Sequence, residues 1–312
     1  MPCNSLNFCH FSLAHFGTTQ TLPAAPAGSV KGKGKATEVE GLLALPNLTD
    51  SEFIDIYHVP SLARVHAAIN FAPKSKAIEA PRAGLVMALH IAVLPDRIAL
   101  VAAYEDGRAE VWSCSLEHVG TPWDGRKATS GDDKPWTLLW CGKAHNEAVM
   151  AMAVDPSFER AFTVSADHLL CRIDLVSVLT GTTTTNPISS YSTKQVGNSA
   201  LAISSDGKVV AVGGWDGRIR LFSAATFKPL GTLAYHRESV QALVFGNRES
   251  GLLGASGGGR GVDDDEASVL EIGDDESDSD DDVDADVGPR EGWLTSAGKD
   301  RRIALWSLHF GA

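Results

Sequence analysis

The sequence predicts an all-β protein assembled from about five copies of one small antiparallel sheet. Four segments end alike, which is the first reason. A short apolar strand runs into an Asp in a tight turn, and six residues later comes a large apolar residue on the next strand: Asp106 to Trp112, Asp167 to Ile173, Asp216 to Phe222 and Asp300 to Trp306. The second reason is Asp-Gly between apolar runs, at Asp106-Gly107 and Asp216-Gly217. This is a strong hairpin signal, because Gly accepts positive φ and Asp caps the turn. The third is the recurrence itself, since an internal repeat decides the architecture before any single residue does.

The elements follow in chain order. Residues 1–80 read as one unit, with a first strand at Leu6 to Leu13, then Leu42 to Leu45 and Phe53 to Val59. The Gly/Ala/Pro/Lys-rich stretch at 22–37 interrupts it and is expected to be disordered. Units follow at 81–143 and 144–196, with surface loops at 115–135 and 181–187. The unit at 197–235 is the most regular. Its strands are Ala200 to Ile203, Lys208 to Val212, Arg218 to Phe222 and Lys228 to Leu233, separated by Ser205-Asp206-Gly207 and Asp216-Gly217. His236 opens the last unit, 236–312, whose first strand ends at Phe245 and whose second begins at Gly292-Trp293-Leu294. An acidic insertion at 257–289 lies between them, too highly charged to pack, and is expected to be disordered.

This pattern is that of a WD-repeat β-propeller blade. Such a blade has a His before its first strand, a Ser or Thr on the second, an Asp in the following turn and a Trp on the third. Together they make a buried hydrogen-bond relay. The last unit has all four: His236, Ser296, Asp300 and Trp306. The unit at 144–196 has His145, Thr163 and Asp167, with Ile173 in place of Trp. The others are degenerate. Ala102 and Val212 take the hydroxyl position, beside Asp106 and Trp112 in one unit and Trp215, Asp216 and Phe222 in the other. The seven Trp residues are expected mostly at core-type strand positions. His236, Ser296 and Asp300 have the composition of a catalytic triad, but each has a structural partner in the relay, so no catalytic role is expected. Five blades fall short of the usual seven, and the chain starts at a first strand. The expectation is a propeller truncated at its N-terminus, with an open or five-bladed form as the alternative.

Composition narrows the function. The formal charge of −12 misleads, because Asp263 to Asp286 holds 14 acidic residues and no Lys or Arg. Without it, 27 basic residues face 25 acidic ones, so the rest of the chain is nearly neutral and offers no nucleic-acid-binding face. No apolar run approaches the length of a membrane helix, and no signal peptide is seen. The five cysteines, Cys3, Cys9, Cys114, Cys141 and Cys171, are scattered without a C-x-x-C. That fits a reducing compartment, and the last three are expected to pack as small apolar groups. No metal, cofactor or small-molecule site is expected: the nucleotide, zinc-protease and hydrolase motifs are absent, and Gly257-Gly-Gly-Arg-Gly261 lacks the Lys-Ser/Thr of a phosphate loop. Arg218, Arg220, Arg301 and Arg302 follow blade turns and are candidates for pairing with acidic partner surfaces. Ser277 and Ser279 each have an Asp three residues on, and are candidate sites for an acidophilic kinase.

Several segments are more specific than a generic WD repeat. Asn4-Ser-Leu-Asn-Phe-Cys-His-Phe-Ser12, Ile54-Asp-Ile-Tyr-His-Val-Pro60, Ala103-Tyr-Glu-Asp-Gly107, Gly213-Gly-Trp-Asp-Gly-Arg-Ile-Arg220 and Ala297 to Trp306 resemble strands and turns of the ASTRA-associated protein 1 family. The family's first repeats have no counterpart here, and the acidic loop is an insertion. The resemblance implies a non-enzymatic scaffold subunit of the ASTRA complex, which serves chromatin regulation and the maturation of phosphatidylinositol-3-kinase-related kinases with Tel-two-type chaperone proteins. It implies a nuclear location, with the cytoplasm also open, and no membrane or direct nucleic-acid partner. A propeller that reads histone tails or other peptides through its central channel is the alternative.

Overall fold

Short strands separated by Asp, Gly and Ser turns produce small antiparallel sheets, and a computed structural model shows five of them among the described residues. Those residues are 9–16, 40–71, 83–127, 134–182, 186–246, 269–270 and 290–310. The chain divides into two compact units, Met1–Val149 with Asp174–Ile188, and Met150–Ile173 with Ser189–Ala312.

In the first unit, β1 (Ser12–His15), β2 (Gly41–Pro46), β3 (Ile54–Val59) and β4 (Arg64–Ile69) form one sheet in sequence order. The second sheet holds β5 (Val86–Val93), β6 (Arg97–Tyr104), β7 (Arg108–Ser115) and, after β8 (Trp123–Asp124), β9 (Trp136–Lys143). β8 leaves this progression and pairs parallel with β4 in the first sheet. Alternation along the strands builds the core. Leu42, Ile54, Ile56 and Ile69 meet Ile91, Ile98, Leu100 and Tyr104 in one buried cluster. β1 begins at Ser12, and residues 6–8 of the apolar run at Leu6 to Leu13 lie outside the described residues. Ser12 and Ala14 point inward while Leu13 and His15 are exposed, so the sheet takes the register of the small residues. Ser12 Oγ accepts from the Ile91 N–H at 3.0 Å, tying the two sheets together.

The second unit holds β10 (Val149–Val154), β11 (Arg160–Ser165), β12 (Leu169–Asp174) and β13 (Ile188–Ser192) as one sheet. Helix α1 (Leu175–Thr180) interrupts the run and belongs to the first unit. It was not foreseen, although its signals are present: Asp174 caps it by accepting from the Ser177 N–H, and Gly181 closes it in the left-handed region. The next sheet is β14 (Asn198–Ile203), β15 (Val209–Gly214), β16 (Arg218–Ser223) and β17 (Pro229–Ala234). The last has β18 (Val240–Phe245), β20 (Arg290–Gly298) and β21 (Ile303–Phe310). Between them, β19 (Val269–Leu270) pairs antiparallel with β17, Leu233 opposite Val269 and Thr232 opposite Leu270. Two residues of the acidic insertion are therefore in a sheet, contrary to the expectation that none would pack. The rest of 257–289, with Ser277 and Ser279, lies outside the described residues, as does the 22–37 stretch.

The hairpin glycines do steric work. Gly217 has φ +77°, and a Cβ there would run into the His236 carbonyl oxygen of the following linker. Gly181 has φ +67° with open space around it. Gly181→Ala should therefore cost only the left-handed penalty, about 1–2 kcal/mol. Gly217→Ala should cost clearly more, about 3 kcal/mol or above, because backbone must also move. Urea unfolding of the two variants measures the difference.

Candidate functional site

The last sheet builds the complete relay. His236 stands in the linker between β17 and β18, Asp300 in the β20–β21 turn, Ser296 on β20 and Trp306 on β21. Trp306 Nε1–H donates to Ser296 Oγ at 2.9 Å, and Ser296 Oγ lies 2.9 Å from His236 Nε2. His236 Nδ1 lies 3.1 Å from Asp300 Oδ1. One set of donor roles satisfies every group: the indole donates to the hydroxyl, the hydroxyl to Nε2 of a neutral imidazole, and Nδ1–H to the carboxylate. Asp300 also accepts from the backbone N–H groups of Arg237 and Arg302, at 3.0 and 3.2 Å. Burial alone would raise the Asp300 carboxyl. The Arg237 N–H, His236 and the Arg302 N–H outweigh it and hold the group below its ordinary value. The Ser, His and Asp stand in the order of a hydrolase triad, but the serine and the imidazole are buried and the hydroxyl oxygen already accepts from the indole.

The other sheets meet the same need differently. In the sheet of β5–β7 and β9 the hydroxyl position is Ala102, and Trp112 Nε1–H donates instead to Glu110 Oε2 at 3.0 Å. Tyr104 O–H donates to the same oxygen at 2.9 Å, and Asn70 donates to Tyr104 at 3.1 Å. Burial is the main influence on Glu110 and pushes its carboxyl up, against the hydrogen bonds of Tyr104 and Trp112. Asp106 accepts from the Arg108 N–H at 3.0 Å and pairs with its guanidinium at 2.5 Å. In the first sheet, Asp55 is fully buried and accepts from Asn47 Nδ2 and from the Ala68 N–H, each at 2.9 Å. In the sheet of β10–β13, Thr163, Asp167 and Ile173 are buried, and Asp167 accepts from the Leu169 N–H at 2.9 Å. His145 is buried in the other unit. In the sheet of β14–β17, Phe222 is buried against Tyr191, while Asp216 pairs with Arg220 at 2.6 Å. Burial pulls the Asp216 carboxyl up, but Arg220 prevails and the group stays low.

One expectation is corrected. Trp215 and Trp293 are not core residues: 48% and 52% of their surfaces are exposed. Trp215 sits on the turn rather than in the strand, with its N–H donated to the Gly197 carbonyl at 2.7 Å and its ring against Gly197, which has no room for a Cβ. Of the four candidate arginines, Arg220 is held by Asp216. Arg302 lies over the Tyr235 ring, 5.6 Å from its centroid. Arg218 and Arg301 are exposed. Cys114 and Cys171 are buried as expected of small apolar groups, their thiols pushed up to about 12 by burial, whereas Cys141 is exposed. Sequence reasoning missed the Glu110, Asp55 and His66 networks. In the last of these, His66 Nδ1 accepts from Trp136 Nε1–H at 2.9 Å.

In unit two the turns and linkers form one continuous rim. Gly197 N–H donates to Ala166 at 3.0 Å, Trp215 N–H to Gly197, and Lys299 N–H to Ser239 at 2.8 Å. Val196, Trp215, Arg218, Arg237, Lys299 and Arg301 are exposed along it.

Comparison with known proteins agrees with this geometry. The family model for the WD domain, G-beta repeat matches residues 185–223. ASTRA-associated protein 1 of Penicillium rubens is 33% identical over 265 residues, which are 80% of this chain and 55% of that protein. Its namesake in Aspergillus flavus is 27% identical over 99% of this chain and 70% of that protein. The chain resembles the ASTRA-associated protein 1 family over most of its length. Guanine nucleotide-binding protein subunit beta-like protein 1 of mouse is 28% identical over 69% of this chain and 56% of that protein. The fold is that of a WD-repeat β-propeller, and the chain spans a little over half the length of the Penicillium relative.

Two outcomes follow for the relay. Ser296→Ala orphans two buried donors or acceptors, His236 Nε2 and Trp306 Nε1, and should cost about 2–4 kcal/mol, largely recovered in Ser296→Thr. Denaturant midpoints measure it. The lowered Asp300 carboxyl favours the folded state above its ordinary value of 3.8, and that contribution is lost as pH falls through and below it. Asp300→Asn should therefore be less stable than the parent at neutral pH and should show a shallower loss of stability on acidification, read from urea unfolding across that window.

Proposed function

We propose that this chain is a non-catalytic scaffold that assembles protein partners within the ASTRA complex. The observation that carries the reading is the similarity to ASTRA-associated protein 1, continuous over four-fifths of the chain at 33% identity. The structure is compatible with it. The Ser296-His236-Asp300 constellation is spent on holding two strands and a linker together. Exposed aromatic and cationic side chains gather instead on the rim of turns, where a partner surface can reach them. In this role the protein would act in the nucleus, in chromatin regulation and in the maturation of phosphatidylinositol-3-kinase-related kinases beside Tel-two-type chaperone proteins.

Affinity purification of the tagged protein from its own cells, followed by mass spectrometry, tests the reading. Recovery of Tel-two-type chaperones, with lower levels of the related kinases on depletion, is the expected result. Recovery of histones alone, with kinase levels unchanged, would overturn it in favour of a peptide reader.

A further inference from the structure

We propose that an acidic peptide of a partner protein binds where the β15–β16 turn, the β17–β18 linker and the β20–β21 turn adjoin, with Arg218, Arg237 and Arg301 as its main contacts. The backbone brings the three segments together. The Gly217 turn packs so closely on the linker that a Cβ there would meet the carbonyl oxygens of His236 and Glu238. On its other side the linker is tied to the last turn. The Arg237 N–H donates to Asp300 Oδ2 at 3.0 Å, and the Lys299 N–H to the Ser239 carbonyl at 2.8 Å. Residues 214–220, 235–239 and 298–302 thereby gather Arg218, Arg220, Arg237, Lys299, Arg301 and Arg302 against Asp216, Glu238 and Asp300. Two of those acids are already engaged within the fold: Asp216 holds Arg220, and Asp300 holds His236 and two backbone N–H groups. Arg218, Arg237, Lys299 and Arg301 are exposed, and among the described residues none of them is paired with a carboxylate.

The fold does not require this charge. The same contact of turn on linker recurs at Gly107, where a Cβ would meet the carbonyl oxygens of His145 and Glu147. There, residues 104–110 and 144–148 carry Glu105, Asp106, Glu110 and Glu147 with Arg108 as their one cation. Arg301 is a second, independent sign. Its φ of +64° is left-handed, a conformation that disfavours a side chain and that Gly takes at 107 and 217. A cation is kept at that place where Gly would fit more easily. Exposed guanidinium groups with Glu238 among them suit the few carboxylates of a short peptide, which each fork can pair in a defined geometry. A nucleic acid draws its affinity from many neutralised phosphates along a longer stripe. Each exposed pair is weak, and the cluster acts through its summed field. The half-exposed Trp215 on the same turn as Arg218 adds an apolar contact. Such a contact is one way in which the scaffold proposed above takes hold of a partner, and it rests on that reading.

Titration of the full chain into a fluorescein-labelled peptide of alternating Glu and Asp, read by anisotropy, tests it. Binding should weaken about tenfold between about 50 and 300 mM salt. Arg237→Glu with Arg301→Glu should weaken it at least about tenfold at low salt. Lys228→Glu, an exposed charge reversal at the opposite end of the β14–β17 sheet, should leave it unchanged. Arg301→Gly keeps the test decisive if the double variant is unstable: it removes the side chain and eases the left-handed backbone, so binding should fall about threefold with no loss of urea midpoint. Equal binding by the parent and both arginine variants would overturn the proposal. So would an equal loss in Lys228→Glu, or tighter binding of a single-stranded RNA oligonucleotide than of the peptide. Because the titration contains no other subunit, it can fail while the affinity purification succeeds, and the two readings fail separately.

Discussion

The close approach of a linker to the hairpin turn of the sheet before it, at Gly107 and at Gly217, is the constraint on which the rest depends. At Gly107 the His145 carbonyl lies where a Cβ would be, and at Gly217 the His236 carbonyl does. Ala144 and His145 both donate their N–H groups to the Gly107 carbonyl, at 3.0 and 3.1 Å. The turn must therefore be left-handed at that position, and it must lack a side chain where a linker crosses it. Arg301 tests the logic from the other side. It takes the same place after Asp300, with φ +64°. There the left-handed bend alone is required, and a side chain is tolerated.

Burying that contact leaves polar groups which must be satisfied, and the sheets do so with different chemistry at one geometric place. The last sheet uses a hydroxyl between an imidazole and an indole. The sheet of β5–β7 and β9 replaces the hydroxyl by Ala102 and brings in a carboxylate, Glu110, which accepts from the indole and a phenol together. The sheet of β14–β17 needs neither, because Phe222 has no N–H to satisfy, and its turn Asp is taken by Arg220. A buried donor determines what stands beside it more strongly than any consensus does. The Trp-to-Phe and Ser-to-Ala changes are thus linked to the partner residues around them rather than being simple decay.

Legibility in the sequence followed the same division. The strands, their order and the Asp turns were readable because each depends on neighbours within a few residues: alternation for β15 and β16, Asp-Gly for the turn between them. The relay of the last sheet was readable because all four residue types are present. Glu110 was not, since a carboxylate at an inward strand position looks like an exception until the two donors that converge on it are placed, one of them from another strand. Asp55 and His66 were hidden for the same reason, their partners lying 13 and 70 residues away at Ala68 and Trp136. The Asp216–Arg220 pair was not readable, because an i, i+4 pair within a hairpin is indistinguishable in sequence from two exposed charges.

The same alternation shapes the surface of the last sheet. The alternation that buries Leu294, Trp306 and Leu308 must turn the intervening residues outward. In the observed register Val244, Thr295 and Leu305 stand side by side, with Ile303 opposite Ala297 and Trp293 opposite Ser307, all on that outer face. Val244, Trp293, Ile303 and Leu305 are exposed there. A sheet destined for water on one side alternates apolar with polar, as β1–β4 does at His15 and Arg64. A sheet that is apolar on both faces has the composition of one covered on both. β21 thus carries apolar residues on both faces: the inner one packs in the cluster of Leu221, Leu233 and Val240, and the outer one is exposed.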